Sequence, residues 1–166
     1  MRFGLFGGGK LGKSNPLGDS YAYQDFITYV KRAEQVGFES VFLVEHHFTG
    51  SGQLSASLSL LAYLAAATTR MRLGTAVVVL PWHNPVLLAE QICTLDVLSE
   101  GRYELGVGRG VSPFELNFHR VKAEDSRDIF LDAYAAVKTG LTNERMTHAG
   151  KYFNYTNVPV EVHPLT

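Results

Sequence analysis

An apolar run that ends on a carboxylate and two imidazoles is the part of this sequence best suited to chemistry. Ser40 to Val44 is predicted to be a buried strand, and Glu45, His46 and His47 follow it directly. In parallel α/β folds, catalytic groups collect at the C-terminal ends of strands. We therefore expect these three side chains at the edge of a site rather than in the core.

Two later apolar runs end on polar groups in the same manner. Arg72 to Leu80 leads into His83 and Asn84, and Arg102 to Val107 leads into Gly108 to Gly110. Three strands that deliver polar groups at one end predict a cleft. Clefts built in this way usually belong to enzymes.

The composition excludes several other classes of protein. Of the 166 residues 46% are hydrophobic and 19% are charged, with a net charge of −1, which is typical of a globular protein. No basic patch indicates nucleic-acid binding, and the apolar stretch from Leu54 to Ala67 is too short to cross a membrane. Without a recognisable secretory signal, a cytoplasmic location is favoured. The single cysteine, Cys93, is predicted to be a small core residue.

Strand and helix patterns alternate along the chain. The predicted strands cover residues 1–6, 40–44, 72–80 and 103–107. The predicted helices cover residues 20–36, 56–69, 85–100 and 126–139, and the pieces 151–155 and 158–163 are predicted to form a short hairpin. Four β-α units with right-handed crossovers allow either a doubly wound open sheet or part of a (β/α)8 barrel.

A glycine-rich segment after the first strand favours the doubly wound sheet. Gly7 to Ser14 fits the mononucleotide pattern G-x-x-x-x-G-K-S, and its glycines also fit G-x-G-x-x-G. The backbone amides of such a loop can hold a phosphate at a helix N-terminus. However, Pro16 and Gly18 do not suit the first turn of the helix that this motif requires. The segment Gly7 to Ser14 therefore has two interpretations. It is either the P-loop of a nucleotide-binding module, which is an alternative function, or a glycine-rich loop that only connects two elements.

Three joined segments closely resemble the bacterial luciferase family of flavin-dependent monooxygenases. They are residues 38–49, 73–85 and 95–110, in order and with compatible spacing. The resemblance implies a (β/α)8 TIM-barrel fold that uses reduced FMN and O2 to oxidise a small organic substrate such as an aldehyde. It also implies a flavin reductase as the source of reduced FMN, and a deazaflavin in place of FMN stays open.

The same resemblance implies roles for individual residues. His46 matches the family's catalytic histidine beside the flavin ring, and an imidazole can accept or donate a proton near neutral pH. Ala76 and Val77 match a non-proline cis peptide against the ring, and Arg109 matches an arginine associated with the flavin phosphate. Gly108 belongs to the implied flavin site but stands where the light-emitting members have a reactive cysteine, so light emission is not expected.

Adjacent residues in an extended chain point to opposite sides, so only one of His46 and His47 is expected to face the cavity. The alternative for His47 is a hydrogen-bonded packing residue. Glu45 is assigned to the flavin site, with a structural carboxylate as its alternative. These side chains are not expected to hold a metal, because adjacent imidazoles on a strand chelate poorly.

The length predicts an incomplete barrel. Because a (β/α)8 barrel usually needs about 250 residues, residues 1–166 are expected to form the N-terminal part of one luciferase-like barrel domain: the first four β-α units plus the short hairpin. The open edges of its first and fourth strands and an apolar inner face are expected to drive homo-oligomer formation, and this part alone is expected to be inactive. A non-catalytic flavin-binding or assembly module of the same fold is the alternative function.

Overall fold

The predicted strands and helices follow one another in the predicted order, but the predicted strands 72–80 and 103–107 are each divided in two and a short helix precedes the last long one. In this computed structural model residues 1–8, 18–49 and 54–166 are described, Gly18 and Asp19 by their backbone only. The strands are β1 (Gly4–Gly7), β2 (Ser40–Leu43), β3 (Arg72–Thr75), β4 (Val78–Val79), β5 (Tyr103–Glu104), β6 (Val107–Gly108), β7 (Arg145–Ala149) and β8 (Asn154–Pro159). The helices are α1 (Gly18–Gln35), α2 (Ser57–Ala67), α3 (Pro85–Leu98), α4 (Pro113–Phe118) and α5 (Ser126–Thr142), with a 3-10 turn at Leu80–Trp82.

The chain divides into two compact units. The first unit comprises residues 1–78 and 102–106, and the second comprises residues 79–101 and 107–166. Among the described residues, no helix combines the length and the apolar character needed to cross a membrane.

The sheet of the first unit distinguishes between the two predicted architectures. Its strands are parallel in the order β1-β2-β3-β5, with Leu5 opposite Val41, Val41 opposite Leu73 and Leu73 opposite Tyr103. Spatial order therefore follows chain order, as in a (β/α)8 barrel, whereas a doubly wound sheet reverses direction at a switch point. This order favours the barrel.

The core of the first unit lies between this sheet and its helices. Val41, Leu43 and Leu73 alternate along β2 and β3 and are fully buried, as are Leu61 and Leu64 of α2. Burying a side chain of this size stabilises the fold by about 1.5–3 kcal/mol. These contacts set the positions of the strands whose C-terminal ends carry Glu45 and Thr75.

The second unit contains α3 and α5, which approach each other closely. Asn84 caps α3 through its side-chain oxygen, which accepts the N–H groups of Val86 and Leu87, and Pro85 occupies the first helical position. Gly140 was predicted to follow the last helix, but α5 continues to Thr142. A Cβ at Gly140 would lie 2.9 Å from the Ala89 Cβ, so the glycine permits close packing instead of ending the helix.

Of two burial predictions for this unit, the one for Tyr134 is wrong and the one for Cys93 is confirmed. Tyr134 was predicted to face inward, but it is 47% exposed, because the buried face of α5 runs through Ala133, Ala136 and Gly140. Cys93 is fully buried, as predicted, and burial raises the pKa of its thiol.

The predicted terminal hairpin is present with a different register. β7 and β8 are antiparallel, with Met146 opposite Val158. The predicted strand 151–155 is instead mostly the turn, because the Asp132 carboxylate accepts the N–H groups of Tyr152 and Phe153 at 2.6 and 3.2 Å. Met146 anchors the true first strand in the core of this unit.

Candidate active site

The carboxyl ends of β2 and β3 bring two predicted site segments to one edge of the sheet. Leu43 ends β2 and lies opposite Thr75, the last residue of β3. Because the strands are parallel and in register, Glu45 and His46 leave the sheet at the same edge as Ala76 and Val77. The first unit therefore brings these four predicted residues to a common edge.

Glu45 and His47 contact each other across one intervening residue. The His47 Nε2 lies 3.1 Å from the Glu45 Oε1, and Glu45 is only 5% exposed. In extended backbone, residues two apart share a side and the residue between them takes the other, so His46 is separated from this pair. The His46 N–H donates to the Leu54 carbonyl at 2.9 Å, which anchors the segment at that point.

The Ala76–Val77 peptide bond is cis, which confirms the predicted geometry at this position. Both residues are partly exposed, although Thr75 before them and Val78 after them are buried. The Ala76 N–H donates to the Leu43 carbonyl at 2.7 Å, and the Val78 N–H donates to the Gly106 carbonyl at 2.8 Å. The segment thus presents a small apolar surface held by hydrogen bonds at both ends.

Tyr103 belongs to this region but was not among the predicted site residues. Its hydroxyl lies 3.3 Å from the Thr75 Oγ1. Burial raises the pKa of Tyr103 to about 12, and the negative charge of Glu45 contributes to the shift. Alternation along its strand would indicate an inward side chain, but nothing local in the sequence indicates a partner 28 positions away.

Gly108 and Arg109 lie in the second unit, where Arg109 is exposed. The adjacent Gly110 has a φ of 74°, and a Cβ there would lie 3.2 Å from the Trp82 ring. Trp82 in turn stacks on His119, with ring centroids 4.7 Å apart and planes 9° apart. The backbone beside Arg109 therefore needs glycine, both for its left-handed conformation and for its approach to an aromatic ring.

A metal centre and a nucleotide-binding loop are the two other kinds of site that the sequence raised. In the part of the chain that the structure describes, no three His, Cys, Asp or Glu side chains come together as metal ligands. Most of the P-loop-like motif from Gly7 to Ser14 lies outside the described residues. The nucleotide-binding alternative therefore stays a prediction.

Comparison with known proteins identifies the class. A family model described as luciferase-like monooxygenase matches residues 1–166. The 4-hydroxyprotoasukamycin monooxygenase of Streptomyces nodosus subsp. asukaensis is 31% identical over 168 residues, which cover 99% of this chain and 44% of that protein. The alkanal monooxygenase beta chain of Photorhabdus luminescens is 28% identical over 166 residues, which cover 100% and 51%.

Solved structures agree. Monooxygenase RslO1 from Streptomyces bottropensis superposes with a TM-score of 0.93 at 27% identity over 100% of this chain and 50% of that one. The oxygenating constituent of 3,6-diketocamphane monooxygenase from Pseudomonas putida, in complex with FMN, gives 0.86 at 24% identity over 96% and 44%. An F420-dependent secondary alcohol dehydrogenase, in complex with an F420-acetone adduct, gives 0.82 at 20% identity over 99% and 49%. The last two show the fold alone.

The chain belongs to the luciferase-like monooxygenase family. The predicted family and the predicted α/β barrel-type fold are therefore confirmed. The chain spans about half the length of the curated relatives it matches.

Proposed function

We infer that residues 1–166 form the N-terminal part of the barrel domain of a flavin-dependent monooxygenase. This enzyme would use reduced FMN and O2 to oxidise a small organic substrate such as an aldehyde. The observation that carries the proposal is the family match over the whole chain. The common strand edge that carries His46 and the Ala76–Val77 segment supports it.

The residues at this edge fit a flavin. Ala76 and Val77 offer a partly exposed apolar surface within an otherwise buried run, which suits an aromatic ring system. A pKa raised to about 12 keeps the buried Tyr103 hydroxyl uncharged. Arg109 would pair with the flavin phosphate, since a guanidinium matches a phosphate with two parallel hydrogen bonds. Glu45 is the further proposed member at this edge, whereas Gly108 and Arg109 belong to the second unit and are proposed on the resemblance to the family.

When bound, reduced flavin supplies the electrons that activate O2. His46 would accept or donate a proton at its imidazole, the group best suited to both near neutral pH. His47 is held by Glu45 at 3.1 Å and would act through packing and orientation.

FMN is the proposed cofactor, and a deazaflavin is the alternative. The Pseudomonas putida structure contains FMN, whereas the secondary alcohol dehydrogenase depends on F420, a deazaflavin. An enzyme that consumes reduced FMN also needs a supply, so we propose a flavin reductase as a partner in the cytoplasm. Titration with FMN and with F420 under identical conditions distinguishes the two cofactors.

We also propose that this chain forms a homo-oligomer. β1 and β5 are the outer strands of the four-stranded sheet. Phe3, directly before β1, and Phe6 within it are 56% and 74% exposed. Unpaired strand edges beside exposed aromatic side chains favour association. Sedimentation of the 166-residue chain tests this, and a stable monomer would contradict it.

Two measurements test the proposed activity. We expect the 166-residue chain to bind FMN weakly and to show little turnover, because later strands of the barrel would supply further contacts. A longer form with further β-α units should consume O2 in proportion to product when given reduced FMN. Tight FMN binding without turnover in the longer form would favour the non-catalytic module. Absence of flavin binding together with stabilisation by ATP or GTP would favour the nucleotide-binding alternative.

A further inference from the structure

We propose that Thr75 is the positioning residue for the Ala76–Val77 segment. The Thr75 side chain is 1% exposed. Its Oγ1 donates to the Gly106 carbonyl at 2.9 Å and accepts the Gly106 N–H at 3.1 Å. One hydroxyl therefore holds both backbone polar groups of a residue 31 positions further along the chain.

The hydroxyl of Thr75 is fully used. A hydroxyl has one proton and two lone pairs. Because Thr75 gives its proton to the Gly106 carbonyl, Tyr103 must be the donor in the 3.3 Å contact between the two hydroxyl groups. Burial raises the pKa of Tyr103 to about 12, so Tyr103 keeps this proton near neutral pH. With one donated and two accepted hydrogen bonds, the Thr75 hydroxyl has a single orientation.

Through Gly106, the hydrogen bonds of Thr75 also fix the segment that follows Thr75 in the chain. The Gly106 carbonyl also accepts the Val78 N–H at 2.8 Å. A Cβ at Gly106 would lie only 2.0 Å from the Thr75 carbonyl oxygen, so glycine alone allows the two backbones to approach this closely. Thr75 therefore fixes Gly106, and Gly106 in turn fixes Val78. Ala76 and Val77 lie in the chain between these two fixed residues.

The consequence for ligand binding rests on the proposed flavin function. Ala76 and Val77 form the partly exposed surface against which we place the flavin ring. Without the Thr75 hydroxyl, the Gly106 N–H would lose that bond, and the Gly106 carbonyl that holds Val78 would lose a fixed position. The surface would then persist but become mobile.

Three variants separate positioning from general stability. Thr75→Val keeps the shape of the side chain and removes the hydroxyl, whereas Thr75→Ser keeps the hydroxyl. Thr68→Val is the matched control. Thr68 is 4% exposed, its Oγ1 donates to the Leu64 carbonyl at 2.6 Å and accepts from Arg102 at 3.0 Å, and it precedes β3 instead of ending it.

The measurements are amide hydrogen exchange at Val78 and Gly106 and the FMN dissociation constant. Both are made on the longer form with further β-α units, at a temperature where circular dichroism shows every variant folded. We expect Thr75→Val to exchange about tenfold faster at both amides and to bind FMN about tenfold more weakly, the scale of one lost hydrogen bond. Thr75→Ser should remain near wild type. Thr68→Val should lower the melting temperature and leave both readouts unchanged. If Thr75→Val does not fold, Thr75→Ala takes its place.

The outcomes distinguish this proposal from the flavin function. Unchanged exchange at Val78 and Gly106 in Thr75→Val, or an equal change in Thr68→Val, would overturn the positioning role. If the longer form without substitutions binds neither FMN nor F420 but exchange responds as expected, the flavin function fails and the positioning role stands. If FMN binds equally well to wild type and Thr75→Val, and exchange is also equal, the positioning role fails and the flavin function stands.

Discussion

Replacing Glu34 should destabilise the first unit far more than a single surface carboxylate normally would. The Glu34 Oε1 accepts three backbone N–H groups, from Thr69 at 3.0 Å, Arg70 at 2.7 Å and Met71 at 2.8 Å. These amides belong to the turn between α2 and β3. One carboxylate near the end of α1 therefore fixes the chain just before it enters the third strand.

The exposure of the three donors sets the magnitude. Thr69 and Arg70 are exposed, so water replaces much of what their N–H groups lose, whereas Met71 is fully buried. An unsatisfied buried donor costs about 1–3 kcal/mol. Adding a smaller loss for the two exposed amides, we expect Glu34→Ala to lower the free energy of unfolding by about 2–3 kcal/mol. Glu34→Gln can keep an oxygen at the Oε1 position and should cost about 1 kcal/mol.

The pH dependence provides an independent check. Burial acts to raise the pKa of Glu34, but the N–H groups of Arg70, Met71 and Thr69 and the charge of Arg70 outweigh it, and the pKa falls below its ordinary value of 4.5. A carboxyl group with a lowered folded-state pKa stabilises the fold fully above its unfolded-state pKa. That contribution is lost as pH falls through the folded-state value. Wild type should therefore lose more stability than Glu34→Gln on acidification below pH 4.5.

Urea unfolding at neutral and acidic pH measures both effects. Glu39→Ala is the control, because Glu39 pairs with Arg2 while their side chains are 45% and 78% exposed. Such a surface pair contributes about 0–1 kcal/mol. If Glu34→Ala changed the urea midpoint no more than Glu39→Ala does, the three amides would not depend on this carboxylate and the reasoning would be wrong.

Four further substitutions test the remaining assignments. In a complete enzyme, His46→Ala should lower turnover by about 10²–10⁴-fold with little change in flavin affinity, and unchanged turnover would move the proton-transfer role to another group. His47→Ala should instead lower mainly the melting temperature. Asp132→Ala should speed amide exchange in the turn of the β7–β8 hairpin, because the carboxylate accepts two turn amides; equal exchange rates would show that the turn forms without it. Lys13→Ala should leave thermal stability and FMN binding unchanged, and ATP at ~1,000 times a micromolar Kd would stabilise by about 4 kcal/mol only if the nucleotide-binding alternative were correct.

Local sequence signals predicted the elements that local interactions form. Asn84 followed by Pro85 marks the start of α3, and the structure shows both in those roles. The alternating order of strands and helices likewise follows from patterns within single segments. The six-residue helix α4 was not predicted, because Pro113–Phe118 is too short to show helical periodicity.

The residues of the candidate site were likewise predicted only where a local sequence pattern indicates them. Glu45 and His46 were found because a buried run ends directly on them. Thr75 and Tyr103 were not found, because their contact joins residues 28 positions apart and neither type is distinctive at the end of a strand. The sequence therefore indicated where chemistry is expected and missed the side chains that hold the backbone there.

The end of β3 shows why residue type alone could not resolve this region. Residues 72–80 read as one continuous strand, yet regular pairing stops at Thr75 and β4 begins at Val78. Val77, Val78 and Val79 have the same side chain, yet Val77 is partly exposed whereas Val78 and Val79 are buried. At Val78 the partner is Gly106, whose own position depends on the Thr75 hydroxyl. The break between β3 and β4 thus depends on Gly106, which lies outside residues 72–80. A substitution at Gly106 should therefore alter the predicted flavin surface at Ala76 and Val77 although no residue of 72–80 is changed.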